Sequence, residues 1–268
     1  MGLLNNNNML KVKKIIPIGL KRKIKEILNI SPTKELDINR LSLIKESSIS
    51  DLQNHVYMED LLNKLGLNDE ELFNYPKSLY SYCGQGLFSW QYPSQFSKYL
   101  IKLSTCNISS YLEIGVKHGG TFMITTEYLN KICGIRKAVA IDLFPVRGLI
   151  NYRKINKKIK SIPINSRSKK FEKLLIKEGP FDLTLIDGDH SYEGCLADFE
   201  LVKKHSKIIA FHDIVGMGVP GVIKVWNDIK VKYQDEYDFF EFIDQYEEVV
   251  LNTNKTWLGI GLAIKKNA

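Results

Sequence analysis

The sequence predicts an α/β domain: a mostly parallel sheet with helices on both faces, preceded by a helical N-terminal extension. Three observations carry this. From residue 93 onward, short apolar runs alternate with segments of about 10–15 residues patterned for helix. The runs are continuously apolar, as strands must be when helices cover both faces of a parallel sheet. Several of them also stop at an acid, Asp142, Asp187 or Asp213, at the strand ends where open sheets of this type receive ligands.

Residues 1–84 form the extension, a cap or an oligomerisation arm, and residues 85–268 the main domain. In "SDLQNHVYMEDLLNKLG", Ser50 is the expected N-cap, Leu52, Val56, Leu61, Leu62 and Leu65 the apolar face, and Gly66 the stop. "NDEELFNYP" adds a short helix capped by Asn68. Pro93 opens the helix "YPSQFSKYLIKLS", since a proline at the first helical position loses no hydrogen bond. Strands are expected at 111–115, 138–142, 159–164, 182–187 and 207–212. A helix, "GVIKVWNDIKVKY", follows, in which Trp226 shares an apolar face with Val222 and Ile229, and two late strands near 238–243 and 258–264 close the domain.

Composition places the chain in the ordinary globular class, with 44% hydrophobic and 25% charged residues. No run approaches the apolar length that spans a bilayer, and "IIPIGL" is too short for a signal-peptide core. Asn6 stands where N-myristoylation after Met1-Gly2 wants Ser or Thr, so the expected location is cytoplasmic. Cys83, Cys106, Cys133 and Cys195 show neither CxxC pairing nor zinc spacing, which suits reduced thiols.

The net charge of +8 is unevenly placed. Residues 11–25 hold seven cations and no acid, so the remainder is nearly neutral. A second basic stretch runs from Arg147 to Lys177, without the aromatic interleaving of a nucleic-acid binder, and no nucleic-acid partner is expected. The mixture of cations with Ile15, Ile16, Ile18 and Leu20 suits contact with an anionic membrane surface at the inner face, although Pro17 interrupts a helix there. A homo-oligomer is a further expectation for the extension.

The chemistry-bearing residues cluster at strand ends. "YLEIGVKHGGTF" is a strand, a glycine turn and a helix start, where Gly115, Gly119 and Gly120 allow a tight reversal and close ligand approach at a helix N-terminus. Lys117 breaks the GxGxxG pattern and counts against a dinucleotide pyrophosphate. Glu113 ends a buried strand, where a carboxylate needs a cation or a hydrogen-bond donor. Asp142, 27 residues after Gly115, is placed to accept hydrogen bonds from a ribose diol. Taken singly, these glycines also suit plain helix packing and the acids plain capping. In "LIDGDHSYEG", Asp189 or Ser191 equally suits a helix cap. His118 and Glu193 are expected to make local polar contacts, and Trp90 and Tyr92 to line a pocket mouth or join the core.

"EIGVKHGGTF", "AIDLFP", "LIDGDHSYEG" and "FHDI", in this order, resemble class I S-adenosylmethionine-dependent methyltransferases with a Rossmann-like sheet. The similarity is to the branch holding metal-dependent sugar and macrolide O-methyltransferases and cephalosporin-hydroxylase-like proteins, the methyltransferase domain 24 type. It covers about residues 85–264 and leaves residues 1–80 aside. The resemblance implies S-adenosylmethionine contacts at Glu113, Gly115, Gly119, Gly120, Thr121, Asp142, Ser166 and Asp187. It implies that Asp187 and Asp213 hold Mg²⁺, that His190 is the general base with Asp187 beside it, and that the acceptor is a hydroxyl of a sugar, glycan or glycosylated natural product. Adjacent parallel strands lie about 4.8 Å apart, so strand-terminal carboxylates can converge on one cation. His212, expected as the remaining metal ligand, occupies a position that is often acidic in relatives, which leaves that ligand open. Two rivals stand beside this reading: a nicotinamide-dependent oxidoreductase, and a binding partner in a glycan pathway that keeps the fold without turnover.

Overall fold

A computed structural model of the chain describes residues 35–216 and 218–266. The basic segment 11–25 lies outside them. Leu36–Ala268 form one compact unit.

Seven strands, β1 (Ser110–Ile114), β2 (Lys137–Asp142), β3 (Ile159–Pro163), β4 (Phe181–Ile186), β5 (Ser206–His212), β6 (Tyr237–Phe242) and β7 (Ile260–Lys265), make one sheet in the order β3-β2-β1-β4-β5-β7-β6. The first five run parallel, and β7 is antiparallel to both β5 and β6. Each expected strand is present, with ends displaced by one or two residues.

Alternate side chains along each strand enter two separate cores. Tyr111, Ala138, Ala140, Leu183 and Leu185 face a cluster with Phe96, Leu100, Phe122 and Leu149. Leu112, Ile114, Val139, Ile141 and Ile186 face another with Phe171, Phe199 and Trp226. Both faces are therefore dry, which is why the strands read as unbroken apolar runs. Trp226 is 1% exposed and packs with Val222 and Ile229 as expected.

The segment 36–84 shares the first core. Leu41, Ile44, Leu52, Met58, Leu61, Leu62 and Leu65 are buried against the sheet-covering helices of that face. Its helices differ from the sequence expectation. Ser48, not Ser50, caps Ile49–Leu52, and Asn54 caps a separate helix, His55–Leu65. A cap is worth about 1 kcal/mol, whereas a buried leucine contributes about 1.5–3 kcal/mol, so packing sets the register. Val56, expected on the apolar face, is 77% exposed because that second helix restarts the periodicity. Asn68 does not cap an α-helix: its side chain accepts the Glu70 N–H at 2.7 Å, and only a 3₁₀ turn, Leu72–Asn74, follows. Pro93 does open its helix, Pro93–Ser104.

All four cysteines are free thiols, Cys195 buried and the others half-buried. Burial pushes the Cys195 thiol up to about 12, which leaves it unreactive.

Candidate active site

The sheet brings the carboxyl ends of β1, β2, β4 and β5 to one edge, where a cavity of about 710 Å³ opens. In-register pairing does the positioning. Ile114 pairs with Ile186, which places Gly115 against Asp187, and Ile186 pairs with Phe211, which places Asp187 beside His212. Glu113, Gly115, Gly119, Gly120, Thr121, Asp142, Ser166, Asp187, His190, His212 and Asp213 all line this cavity.

The glycine turn is dictated by crowding. Gly115 has φ +82° and a Cβ there would stand 2.0 Å from the Asp187 carbonyl oxygen, so only glycine fits. A Cβ on Gly120 would stand 2.1 Å from the Leu87 carbonyl oxygen, so this glycine answers to the segment leading into the domain. Lys117 takes φ +45°, a left-handed conformation without glycine. Its ammonium sits 3.4 Å from the Trp90 ring centroid and 2.6 Å from Glu70 Oε2, while His118 Nε2 meets Glu70 Oε1 at 2.8 Å. The turn is thus strapped to the segment before the domain. His118 makes the local contact expected of it, Trp90 lines the cavity, and Tyr92 is buried in the aromatic core.

Asp142 ends β2 with Oδ2 accepting the backbone N–H groups of Val116 and Lys117, both at 3.1 Å, and Oδ1 accepting that of Phe144 at 3.3 Å. An ionised carboxylate offers about four acceptor positions, so one remains toward the cavity.

Glu113 is buried and accepts a short hydrogen bond from the Tyr111 hydroxyl. Burial, together with the Asp187 and Asp142 charges, pushes its carboxyl up to about 8 against the lowering by Tyr111 and His212. The donor that a strand-end carboxylate requires is therefore a tyrosine of the same strand.

Beyond β4, Ser191 caps the helix Tyr192–Val202, and Asp189 accepts the Ser191 N–H at 2.9 Å while pairing with Arg167 at 2.8 Å. These two residues take the capping roles. His190 turns elsewhere: its Nε2 lies 3.2 Å from Asp187 Oδ1 and its Nδ1 3.6 Å from Asp213 Oδ2. The Asp187 hydrogen bond, opposed by burial and aided by the charges of Asp187 and Asp213, raises the His190 pKa. Asp213 follows β5 at φ +62°, a conformation strained for any residue but glycine and tolerated best by Asp and Asn. Burial works against its ionisation, but His212 and His190 outweigh this and hold it below the ordinary carboxylate value.

His212 ends β5 at 5% exposure. Its Nε2–H donates to the Trp90 carbonyl at 3.1 Å. Nδ1 makes no hydrogen bond and stands 3.4 Å from Asp187 Oδ1 and 3.3 Å from Asp213 Oδ1. Burial opposes charge on this imidazole, yet Asp187 and Asp213 raise its pKa to about 10. The ligand atoms of Asp187, His190 and Asp213 also lie within 4.8 Å of one another. That trio, with the unpartnered His212 Nδ1 beside both carboxylates, fits a divalent cation.

Residues the sequence did not assign to the site complete the cavity. Asn68, Glu71 and Asn74 come from the N-terminal segment and Trp257 from the loop before β7. Asp198, buried behind Ser166, has its carboxyl pushed up to about 6 by burial against the Ser166 hydrogen bond and Arg167 charge. Only a signal of fold proximity would have found these, because no local pattern marks them.

A mostly parallel sheet in this order, with a glycine turn after β1 and an acid ending β2, is a Rossmann-like fold of the methyltransferase type. Residues 112–214, which contain every predicted site residue, match the family described as "Methyltransferase domain". The match gives these residues the character of a methyltransferase domain. No curated protein matches it. Among solved structures it is similar to an O-methyltransferase from Bacillus cereus in complex with S-adenosylhomocysteine, at 16% identity and TM-score 0.48, covering 82% of this chain and 93% of that one. It is similar also to TomG of Streptomyces achromogenes, an O-methyltransferase involved in tomaymycin synthesis, at 13% identity and TM-score 0.48, covering 66% and 81%. A third likeness, to MycE of the mycinamycin pathway in complex with Mg and S-adenosylhomocysteine, has 16% identity and TM-score 0.43, covering 67% of this chain and 50% of that one.

Proposed function

We propose that the chain methylates a hydroxyl of a sugar, glycan or glycosylated natural product from S-adenosylmethionine, with a divalent cation assisting. The observation that carries this is the convergence of Asp187, His190, His212 and Asp213 on the cavity that also holds the glycine turn and Asp142.

S-adenosylmethionine would supply a methyl group on a positively charged sulfur, and Asp187, Asp213 and His212 would hold a cation that, when bound, would polarise the acceptor hydroxyl. Asp142 offers its remaining acceptor position to a ribose hydroxyl and at the same time fixes the turn beneath it. Gly115 lets the cofactor approach the backbone closely, and Thr121 and Ser166 face the same space.

His190 takes the acceptor proton. Its Nε2–H donates to Asp187 Oδ1 at 3.2 Å, which leaves the Nδ1 lone pair open, since 3.6 Å to Asp213 is too long for a hydrogen bond. As the acceptor oxygen bonds to the methyl carbon and the carbon–sulfur bond breaks, the hydroxyl proton moves to His190 Nδ1. Asp187 and Asp213 then stabilise the imidazolium. Positioning of oxygen, carbon and sulfur in line accounts for much of the remaining acceleration.

Asn68, Glu71, Asn74 and Trp257 give the acceptor wall the amide, carboxylate and aromatic groups that suit a hydroxyl-rich ring. The basic segment 11–25 is assigned to an anionic membrane surface. Among the described residues, no helix is long and apolar enough to cross a membrane. Methyl transfer from labelled S-adenosylmethionine across a panel of sugar and glycoside acceptors, with and without chelator, tests the proposal. Transfer to none of them by protein that binds the cofactor would favour the binding-partner reading.

A further inference from the structure

We propose that His212 makes the cation site selective for a first-row transition ion, of which Mn²⁺ is the usable probe, over Mg²⁺. The inference rests on the divalent cation proposed above and concerns which ion the site takes.

Mg²⁺ wants oxygen donors, keeps several waters and is usually held by one or two carboxylates. An imidazole directed at the ion suits transition metals instead. His212 is such an imidazole by three independent features. It is 5% exposed and ends a strand whose backbone is held by pairing with β7, His212 to Ile260. Its Nε2–H donates to the Trp90 carbonyl at 3.1 Å, the arrangement by which metal-bound histidines fix their tautomer and leave the other nitrogen free. The free nitrogen, Nδ1, has no hydrogen-bond partner although it is buried, and it points between Asp187 and Asp213.

The spacing agrees. Donors bound to one ion at about 2.1 Å stand about 3.0–3.4 Å apart. His212 Nδ1 lies 3.4 Å from Asp187 Oδ1 and 3.3 Å from Asp213 Oδ1. His190 is the less suited nitrogen donor, because its side chain is 39% exposed and its open nitrogen, Nδ1, stands farther from Asp213, at 3.6 Å.

The experiment uses the full chain freed of metal by chelation. Mn²⁺ and Mg²⁺ are titrated by calorimetry in the presence of S-adenosylhomocysteine, and the Mn²⁺-loaded protein is measured by pulsed electron paramagnetic resonance for coupling to nitrogen. The wild type should bind Mn²⁺ more tightly than Mg²⁺, with one nitrogen coupled to the ion. His212→Glu should lose the nitrogen coupling and narrow the preference by tenfold or more, whereas His190→Ala should keep the coupling. S-adenosylhomocysteine binding by each variant reports that it is folded. The nitrogen signal of the wild type stands by itself even if His212→Glu does not fold.

Equal affinity for the two ions, or bound Mn²⁺ without nitrogen coupling, overturns the selectivity. Coupling lost in His190→Ala and kept in His212→Glu overturns the assignment to His212. Binding of neither ion by protein that binds S-adenosylhomocysteine overturns the cation reading itself, and the selectivity with it.

Discussion

Asp142 Oδ2 accepts the backbone N–H of Lys117 at 3.1 Å, across the gap between the end of β2 and the turn after β1. One carboxylate thus holds Lys117 in its left-handed conformation and faces the cofactor cavity. Asp142→Ala removes both functions. The loss of a hydrogen bond to a charged group costs about 1.5–3 kcal/mol, so S-adenosylhomocysteine affinity should fall by about 10- to 100-fold. Asp142→Asn keeps one acceptor for the turn and should fall between the two. Calorimetry on folded variants measures this, and unchanged affinity in Asp142→Ala would remove Asp142 from the site.

Glu113 predicts a pH effect. Its folded pKa of about 8 exceeds the ordinary 4.5 because burial, chiefly, disfavours the charge. The folded state holds this proton more tightly than the unfolded state, so its contribution is most favourable below pH 4.5 and is lost as pH rises toward 8. His212, raised from 6.5 to about 10, adds a loss of the same sign between those values in metal-free protein. The melting temperature of chelated protein should therefore fall from neutral to alkaline pH, and Glu113→Gln should fall less steeply up to pH 8. A variant with the wild-type slope would show that the carboxyl is already ionised on folding.

Asp187 and His190 should fail differently when replaced. Asp187→Asn weakens cation binding and turnover together, and added cation restores part of the rate by mass action. His190→Ala leaves cation and cofactor binding nearly intact and slows the chemical step by about 10²–10⁴-fold. No concentration of cation should rescue it. Rate against cation concentration for the three proteins separates the roles, and full activity in His190→Ala would send the search for the base elsewhere.

Residues 11–25 lead to a test independent of the chemistry. Deleting residues 1–25 should abolish sedimentation with anionic liposomes at low salt and leave S-adenosylhomocysteine binding intact, because, among the described residues, those lining the cavity all lie beyond residue 67. Full-length protein that ignores such liposomes would end the membrane assignment.

Strand ends were the legible part of this sequence. Asp142, Asp187, His190 and Asp213 announce themselves because a continuous apolar run cannot carry a charge except where it meets the open edge of the sheet. The Glu113 partner was foreseeable in kind but not in name, since Tyr111 reaches it along its own strand face. Glu71, Asn74 and Trp257 were not legible: they arrive at the cavity from about 40 residues before the glycine turn, or from beyond β6, by tertiary packing alone. The misplaced cap at Ser50 has the opposite origin. Ser48 and Asn54 both carry side chains able to cap, and burial of Leu52, Leu61 and Leu65 decided which were used.

The central claim is that this cavity is built for S-adenosylmethionine. Calorimetric titration of the full-length, chelated protein with S-adenosylhomocysteine and, separately, with NADH tests it most directly. One S-adenosylhomocysteine should bind per chain, more tightly when a divalent cation is present, and NADH should give no heat. Binding of NADH with none of S-adenosylhomocysteine would contradict it and return the site to a nicotinamide-dependent oxidoreductase.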